Sequence, residues 1–377
     1  MPSTTNDQLF RLLIIYAIWI AAIVFGDTFT YLYFKNAGVS NNELLFAGFF
    51  WCGAALLTIV LLNRKITDVR LLMIAGVIVR IAAYLALFIF TPTRELFFLY
   101  SFFIGITSFL FWVQFNTLYF ELSRNMEAVM STWYFSMSSS LSLFLPLAAA
   151  VVIDSNGFGM LFILTALIYA ILVLAVTKII MPRKQSYDID KCLNVLKGFK
   201  TIIFIEGVYS GGILVLLPVI TLLYLKHADE LGFFFSITTI FAIFASFIVS
   251  RLSDASRKRM KYTTMFGGAL AVATALATFA KSSIGWYSAT SLRNFVSTLF
   301  YPFTTAIIVQ SKERYNFDAV MVGRELILNA GRFFGIFIVL LCAVVLNDIH
   351  FGLMAMGITI LTYPIVLELK KMHIKVE

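Results

Sequence analysis

The residues of this chain that could do chemistry are charged and polar groups set where hydrocarbon should be. Asp27, Arg80, Glu206, Arg293, Arg324, Glu325 and Arg332 each lie within a mostly apolar stretch, and Glu121 closes another. An ionisable side chain at bilayer depth costs about 3 kcal/mol or more, so each needs a partner, a water-filled cavity or a function. The chemistry open to such groups is ion pairing, proton carriage and recognition of a charged solute. Bond-making chemistry has no comparable support. No Gly-x-x-x-x-Gly-Lys-Ser/Thr run exists to cradle ATP. His227, His350 and His373 fall at stretch edges or in the tail, and Cys52, Cys192 and Cys342 are scattered without a CxxC spacing. No enzyme activity, metal or cofactor is expected.

Helical spacing groups these positions with further polar residues. Asp27, Thr30 and Tyr31 share a face, as do Glu206, Tyr209 and Ser210. Thr107, Gln114, Thr117 and Glu121 recur at i, i+7, i+10 and i+14, with Asn116 adjacent. Thr290, Arg293, Ser297 and Thr304 mark another stripe, and Glu325, Asn329 and Arg332 another at i, i+4 and i+7. Each charge could equally hold two helices together as a static ion pair. Trp112, Phe115, Phe300, Tyr301 and Phe303 lie beside the polar positions. They could stack on a ring-shaped or apolar cargo, although filling the core is the commoner use of such rings.

The elements that must position these groups are membrane helices. Of 377 residues, 60% are apolar and 13% charged, and the mean hydropathy is +0.92. Crossing about 30 Å of hydrocarbon takes about 20 apolar residues. Twelve stretches qualify, at 11–34, 44–63, 69–91, 96–121, 131–153, 158–181, 200–225, 231–250, 262–281, 285–310, 320–346 and 351–369. With the N-terminus inside, 22 of the 29 Lys and Arg fall on the inner side and four in the outer loops. This bias predicts both termini in the cytoplasm. Counted by depth, Asp27, Arg293 and Arg332 fall in the outer half, Arg80 nearer the middle, and Glu206, Arg324, Glu325 and Glu121 in the inner half. The basic residues form no polar module that could follow a phosphate backbone, so no nucleic-acid partner is expected despite a net charge of +9.

The longest hydrophilic break runs through 182–199 and leaves six stretches on either side. The reading is a six-helix bundle over 1–181, a cytoplasmic linker over 182–199 and a second six-helix bundle over 200–377. Within the linker, Ile189, Cys192, Leu193, Leu196 and Phe199 recur at helical spacing. A short amphipathic helix is expected, with Ser186 as its N-cap and Gly198 as its stop.

An all-α membrane protein of twelve transmembrane helices in two pseudo-symmetric bundles resembles the major facilitator superfamily. The sequence after the eighth stretch, Ser250, Arg251, Leu252, Ser253, Asp254, Ala255, Ser256, Arg257, Lys258, Arg259, is similar to that family's Gly-x-x-x-Asp-Arg-x-Gly-Arg-Arg/Lys loop. Asp254 and the last two basic residues match; both glycines and the first arginine are replaced. The exit of stretch 2, Asn63, Arg64, Lys65, keeps only the basic character. The resemblance implies that Asp254 latches the inner face. Stretch 5 carries Leu145, Pro146, Leu147, Ala148, Ala149, Ala150, similar to a Gly-Pro-x-x-Gly-Gly antiporter signature, though small residues there suit close packing too.

The resemblance further implies that stretches 1, 4, 7 and 10 line a cavity about which the halves rock. On that view the substrate and ion site comprises Asp27, Tyr31, Arg80, Gln114, Asn116, Glu206, Tyr209, Arg293, Asn329 and Arg332. Glu121, Asp254, Arg324 and Glu325 would gate it. The inner and outer charges would pair in alternate states, and Asp27 and Glu206 are the candidates to carry a coupling proton. The expected function is secondary active transport of a small organic solute across the plasma membrane by a single chain, proton-coupled, with a lean to export from stretch 5. The alternatives are a membrane sensor or assembly protein that does not transport, or a lipid flippase. The three arginines would suit an acidic solute, whereas Asp27 and Glu206 with the aromatics would suit an amphiphilic cation.

Overall fold

The computed structural model describes residues 5–122, 127–180, 182–253, 259–311 and 316–370. Asp254, the expected latch, lies outside the described residues. The described chain is helical apart from short connections. Helix α1 (Thr5–Gly26) passes through a 3-10 turn at Asp27–Phe29 into α2 (Thr30–Asn36). Next come α3 (Asn41–Leu61), a two-residue strand β1 (Thr67–Asp68), α4 (Val69–Ile89) and α5 (Arg94–Thr107). A π-helical segment, Ser108–Val113, joins α5 to α6 (Gln114–Leu122). The 53-residue helical run α7 (Glu127–Ile179) breaks at Gly157, whose φ of 77° lies in the left-handed region that glycine tolerates.

Strand β2 (Lys184–Gln185) and the short helix α8 (Ile189–Val195) make up the linker. Then come α9 (Lys200–Tyr224), α10 (Ala228–Ser253), α11 (Arg259–Ala277), α12 (Ser283–Ser311), α13 (Phe317–Val345) and α14 (Phe351–Lys370). Among the described residues nine helices are long and apolar enough to cross a membrane. One of them, Met137–Ile179, runs for 43 residues and contains the Gly157 break. The Met137–Ile179 run spans the expected stretches 131–153 and 158–181, and α11 and α12, at the expected stretches 262–281 and 285–310, form as helices outside the nine.

Helix starts follow their local chemistry. Ser40 and Glu43 make a reciprocal capping box at α3, Asp68 caps α4, Thr93 caps α5 and Asn316 caps α13. At α8 the cap is Asp188, not Ser186; the Asp188 carboxylate accepts from the Asp190 amide, which places the helix start two residues later than expected. Gly198 does end the linker, with φ 103°.

Large apolar side chains such as Phe144, Leu174, Phe244 and Phe247 stay exposed along the helix exteriors. Water would not tolerate so broad an apolar surface, and lipid requires it. The chain is a multi-pass membrane protein. Inside, α1 and α4 pack on α7, α3 on α5, α9 on α13 and α14, and α11 on α12 and α14. The 1–181 stretch meets the 200–377 stretch chiefly through α7 on α10 and α3 on α13. The Leu145–Ala150 segment belongs to the first of these contacts. A Cβ on Gly232 of α10 would sit 2.9 Å from the Pro146 carbonyl and 3.0 Å from the Ala150 side chain. Its small residues allow this close approach of α7 and α10.

Candidate functional site

Two polar clusters and one surface bridge bring together Asp27 and Arg80, then Glu206, Arg324, Glu325, Asn329 and Arg332, and then Glu121. The first cluster forms where α1 gives way to the 3-10 turn. Gly26 stands there because a Cβ would come within 2.5 Å of the Tyr84 hydroxyl and 2.6 Å of Thr165. The break turns Asp27 inward, and both its oxygens accept from Arg80 Nη1 at 2.9 Å. Its Oδ1 also accepts from the hydroxyls of Tyr84 and of Tyr100, the latter at 2.7 Å. Arg80, 4% exposed, gives its Nε–H to Thr107 and lies 5.4 Å from the Trp19 ring and 5.9 Å from that of Tyr169. Asp27 and Arg80 therefore neutralise one another inside a cage of aromatic faces.

The second cluster depends on how closely α9 and α13 approach. Gly207 and Gly211 of α9 face Gly331 and Gly335 of α13, and a Cβ on Gly207 would lie 2.5 Å from the Leu328 carbonyl oxygen. Small residues at four-residue spacing let backbones meet in lipid. At that separation Arg324 Nη2 reaches Glu206 Oε1 at 2.6 Å, while Oε2 of Glu206 has no partner. Glu325 Oε1 accepts from Arg332 Nη1 at 2.6 Å and from Asn329 Nδ2 at 2.9 Å. Arg332 also lies 5.6 Å from the Trp51 ring of α3, so its charge touches both halves of the chain. The two layers expected from depth counting do not stay apart. Glu325 of the inner set pairs with Arg332 of the outer set along one helix, because two long side chains span the distance.

Arg293 on α12 differs from the other core arginines. It is 7% exposed, donates from Nη2 to Asn294 Oδ1 at 2.8 Å and from Nη1 to the Tyr209 hydroxyl at 3.4 Å, and its Nε has no acceptor. Among the described residues it has no carboxylate partner. The Tyr209 hydroxyl is shared with Thr274 at 2.9 Å, and Thr290, one turn before Arg293, has a buried hydroxyl without a partner.

The remaining expected residues divide. Gln114 is fully buried with neither amide atom bonded, and Asn116 is half-buried on the same helix. Tyr31 packs edge-on against Phe97 at 5.2 Å. The supposed cargo-stacking rings are engaged with one another: Trp112 and Phe115 stack on Tyr16, Phe300 meets Tyr363 edge-on, and Phe303 lies near Tyr262 and Phe266. Phe115, Phe300 and Phe303 are buried in the core, and Trp112 and Tyr301 are half-buried against it.

Glu121 leads to residues that sequence reasoning missed. The Arg183 guanidinium binds Glu121 of α6 through Nη1 and Asp318 of α13 through Nη2, the latter at 3.2 Å. One linker residue thus ties the two halves together. Around it β1 pairs antiparallel with β2, with Thr67 opposite Gln185 and Asp68 opposite Lys184. Arg64 binds Asp188 at 2.9 Å, and Tyr187 donates to the Ile59 carbonyl at 2.6 Å. An apolar cluster of Ile59, Phe109, Val113, Tyr187, Cys192, Phe317, Met321 and Val322 seals this end with side chains from both halves. The pair of aspartates Asp188 and Asp190 within a basic linker was the available signal that the segment docks.

No family model matches the sequence, and no curated protein sequence matches it. Solved structures do. One POT family transporter, crystallised with a thioalcohol-conjugated peptide, superposes with a TM-score of 0.74 at 12% identity over 97% of this chain and 96% of that one. The human organic anion transporter MFSD10 (TETRAN) gives 0.70 at 10% identity, covering 97% and 100%. The transporter FucP in its outward conformation gives 0.69 at 12%, covering 96% and 98%. What is shared at such identities is the architecture.

Proposed function

We propose that this chain, which has the major facilitator superfamily transporter fold, is a secondary active transporter that carries a small organic solute by alternating access. The observation that carries the reading is the set of charges enclosed between the helices. Asp27, Arg80, Glu206, Arg293, Arg324, Glu325 and Arg332 sit inside an apolar, lipid-facing body, where charge is costly and is kept for a function. In this reading residues 1–181 and 200–377 act as two bundles about the α3–α13 and α7–α10 contacts. The Arg183 bridge and the linker cluster hold the linker end shut in one state and release it in the other. Ion pairs suit this work, since they form or break as units when the bundles move.

Glu206 is the better placed of the two expected proton carriers. Every donor around Asp27 converges on it, with Oδ1 already accepting three hydrogen bonds. Among the described residues Glu206 has a free Oε2 and one partner, Arg324, on the facing helix. A proton taken up on Oε2 would release Arg324 and loosen α9 from α13.

The test is flux in proteoliposomes. A panel of organic acids, amines and neutral solutes is offered to purified protein with and without an imposed pH gradient. Wild type should accumulate at least one solute when the gradient is present. Glu206→Gln should retain solute exchange at equal pH while losing gradient-driven accumulation. Protein-dependent movement of no solute in any class overturns the transport reading, and gradient-driven accumulation that persists in Glu206→Gln overturns the proton assignment alone.

A further inference from the structure

The charge count of the enclosed core is uneven, and the imbalance points to what the core binds. Three carboxylates, Asp27, Glu206 and Glu325, face Arg80, Arg324 and Arg332 respectively, each within 2.9 Å. Arg293 is a fourth arginine of the core and, among the described residues, has only neutral partners, Tyr209 and Asn294. A hydroxyl and an amide oxygen accept its protons but cannot cancel its charge, and an uncompensated guanidinium in a low-dielectric interior is strongly unfavourable.

We infer that the solute is an organic anion whose carboxylate or equivalent acidic group docks on Arg293. The inference rests on the transport reading and narrows its substrate class. Guanidinium is a fork of donors suited to two acceptor oxygens. Here Nε is free and the Nη1 bond to Tyr209, at 3.4 Å, is longer than a normal N–H···O contact, so both can turn to a better acceptor. Thr290 lies three residues earlier on the same helix face, with a buried hydroxyl that has no partner and can donate to the second oxygen. The Tyr209 hydroxyl gives its proton to Thr274, whose own hydroxyl donates to the Leu270 carbonyl, so it fixes the position of the guanidinium without competing for the solute. A cationic solute has the weaker berth: each described core carboxylate already faces an arginine, and the free Oε2 of Glu206 belongs to a carboxylate whose charge Arg324 balances. The sequence left acid and amine open, and the pairing decides for the acid.

Binding is measured apart from transport, as thermal unfolding of the detergent-solubilised full chain followed by tryptophan fluorescence. The probes are phenylacetate and phenylphosphonate, with phenylacetamide and phenethylamine as uncharged and cationic counterparts, together with short aliphatic carboxylates. At least one acid should raise the midpoint, and its amide and amine should not. Arg293→Gln should weaken that binding by on the order of tenfold to a hundredfold, the worth of a charge-assisted hydrogen bond, and Arg293→Lys by less. Without ligand, Arg293→Gln should unfold at a higher temperature than wild type, because it removes an unpaired buried charge, whereas Arg80→Met should unfold at a lower one.

Stabilisation by the amine and not the acids, no response to any acid, or undiminished acid binding in Arg293→Gln overturns the assignment. So does a ligand-free Arg293→Gln that unfolds as early as Arg80→Met, which would make Arg293 a structural residue. Acid binding without flux would sink transport and leave the anion site standing. Flux of amines with no acid binding would do the reverse.

Discussion

Replacing Arg183 with Gln removes a side chain that, among the described residues, bonds to both halves at the linker end. Its bond to Asp318 is largely shielded, with the Asp318 side chain 7% exposed, and a charge-assisted hydrogen bond of that kind is worth about 1.5 to 3 kcal/mol. Its bond to Glu121, 44% exposed, adds at most about 1 kcal/mol. In the proposed cycle they would bias the closed arrangement by about 2 to 4 kcal/mol, so the open population should rise by about 30- to 700-fold on their loss. Cys192 reports on this directly. It sits in the apolar cluster shared by the two halves, and burial pushes its thiol from an ordinary 9.0 up to about 11. When the end opens, the thiol becomes accessible and its thiolate fraction at neutral pH rises about a hundredfold, since reactivity follows the thiolate. In a protein with Cys52 and Cys342 replaced by Ser, Arg183→Gln should therefore label with maleimide at least tenfold faster than wild type. The sign of the pH dependence is fixed as well. The closed form holds the thiol proton more tightly, so the stability this gives is complete below pH 9 and fades as pH rises through about 11. Arg64→Gln is the control, because the Arg64 side chain is 67% exposed and its pair with Asp188 is worth little. Equal labelling rates in wild type and Arg183→Gln, or an equal increase in Arg64→Gln, would refute the bridge.

Two further outcomes test the core. Arg80→Met leaves the Asp27 carboxylate with two tyrosines and no counter-charge, at a cost of about 3 to 5 kcal/mol in unfolding free energy; adding Asp27→Asn should recover a large part of it, and simple additivity in a denaturation cycle would show that the two are not coupled. A Cβ on Gly335 would overlap the Val208 carbonyl, whereas one on Gly268 meets nothing within 4 Å. Gly335→Leu should therefore force α9 from α13, separate Glu206 from Arg324 and lower the unfolding midpoint sharply, while Gly268→Ala leaves it nearly unchanged; equal midpoints would contradict the close approach.

Charges at hydrophobic depth were legible because nothing else in the sequence excuses their cost; Arg80, Glu206, Arg293 and Glu325 are buried, and Asp27, Arg324 and Arg332 are partly so, each paired with a buried partner. Their partners were not legible. Glu325 and Arg332 are seven residues apart, about 10 Å along a helix axis, and only the reach of both side chains closes that gap. Arg80 could have met any carboxylate at its depth; the Gly26 break selects Asp27. Beyond the Asp188 and Asp190 pair the linker docking left no trace, because β1 and β2 are two residues each, too short for any periodic signal, and because Arg183 looked like one more topogenic cation. Helices α11 and α12 show the converse: enough Thr, Ser and basic residues to weaken the apolar signal, yet regular helices once their neighbours cover them.

The irregular backbone explains why one stripe of polar residues serves two places. Thr107, Gln114, Thr117 and Glu121 share a face only if the helix between them is regular, and it is not. The π segment Ser108–Val113 carries wider turns than an α-helix and so rotates α6 relative to α5 about their common axis. Gly76 of α4 lets this bulge fit, since a Cβ there would lie 3.1 Å from Leu110 and from Phe111. Thr107, before the bulge, consequently bonds to Arg80 inside the first cluster. Glu121, beyond it, reaches the linker and Arg183. The break at Gly26–Phe29 does the corresponding work in the first helix by aiming Asp27 at the same arginine that Thr107 holds. Both departures from ideal helix cost backbone hydrogen bonds, and both adjoin the charges that most need placing. A regular helix at either point would leave Arg80 without one of its acceptors, so the irregularities and the enclosed charges stabilise each other.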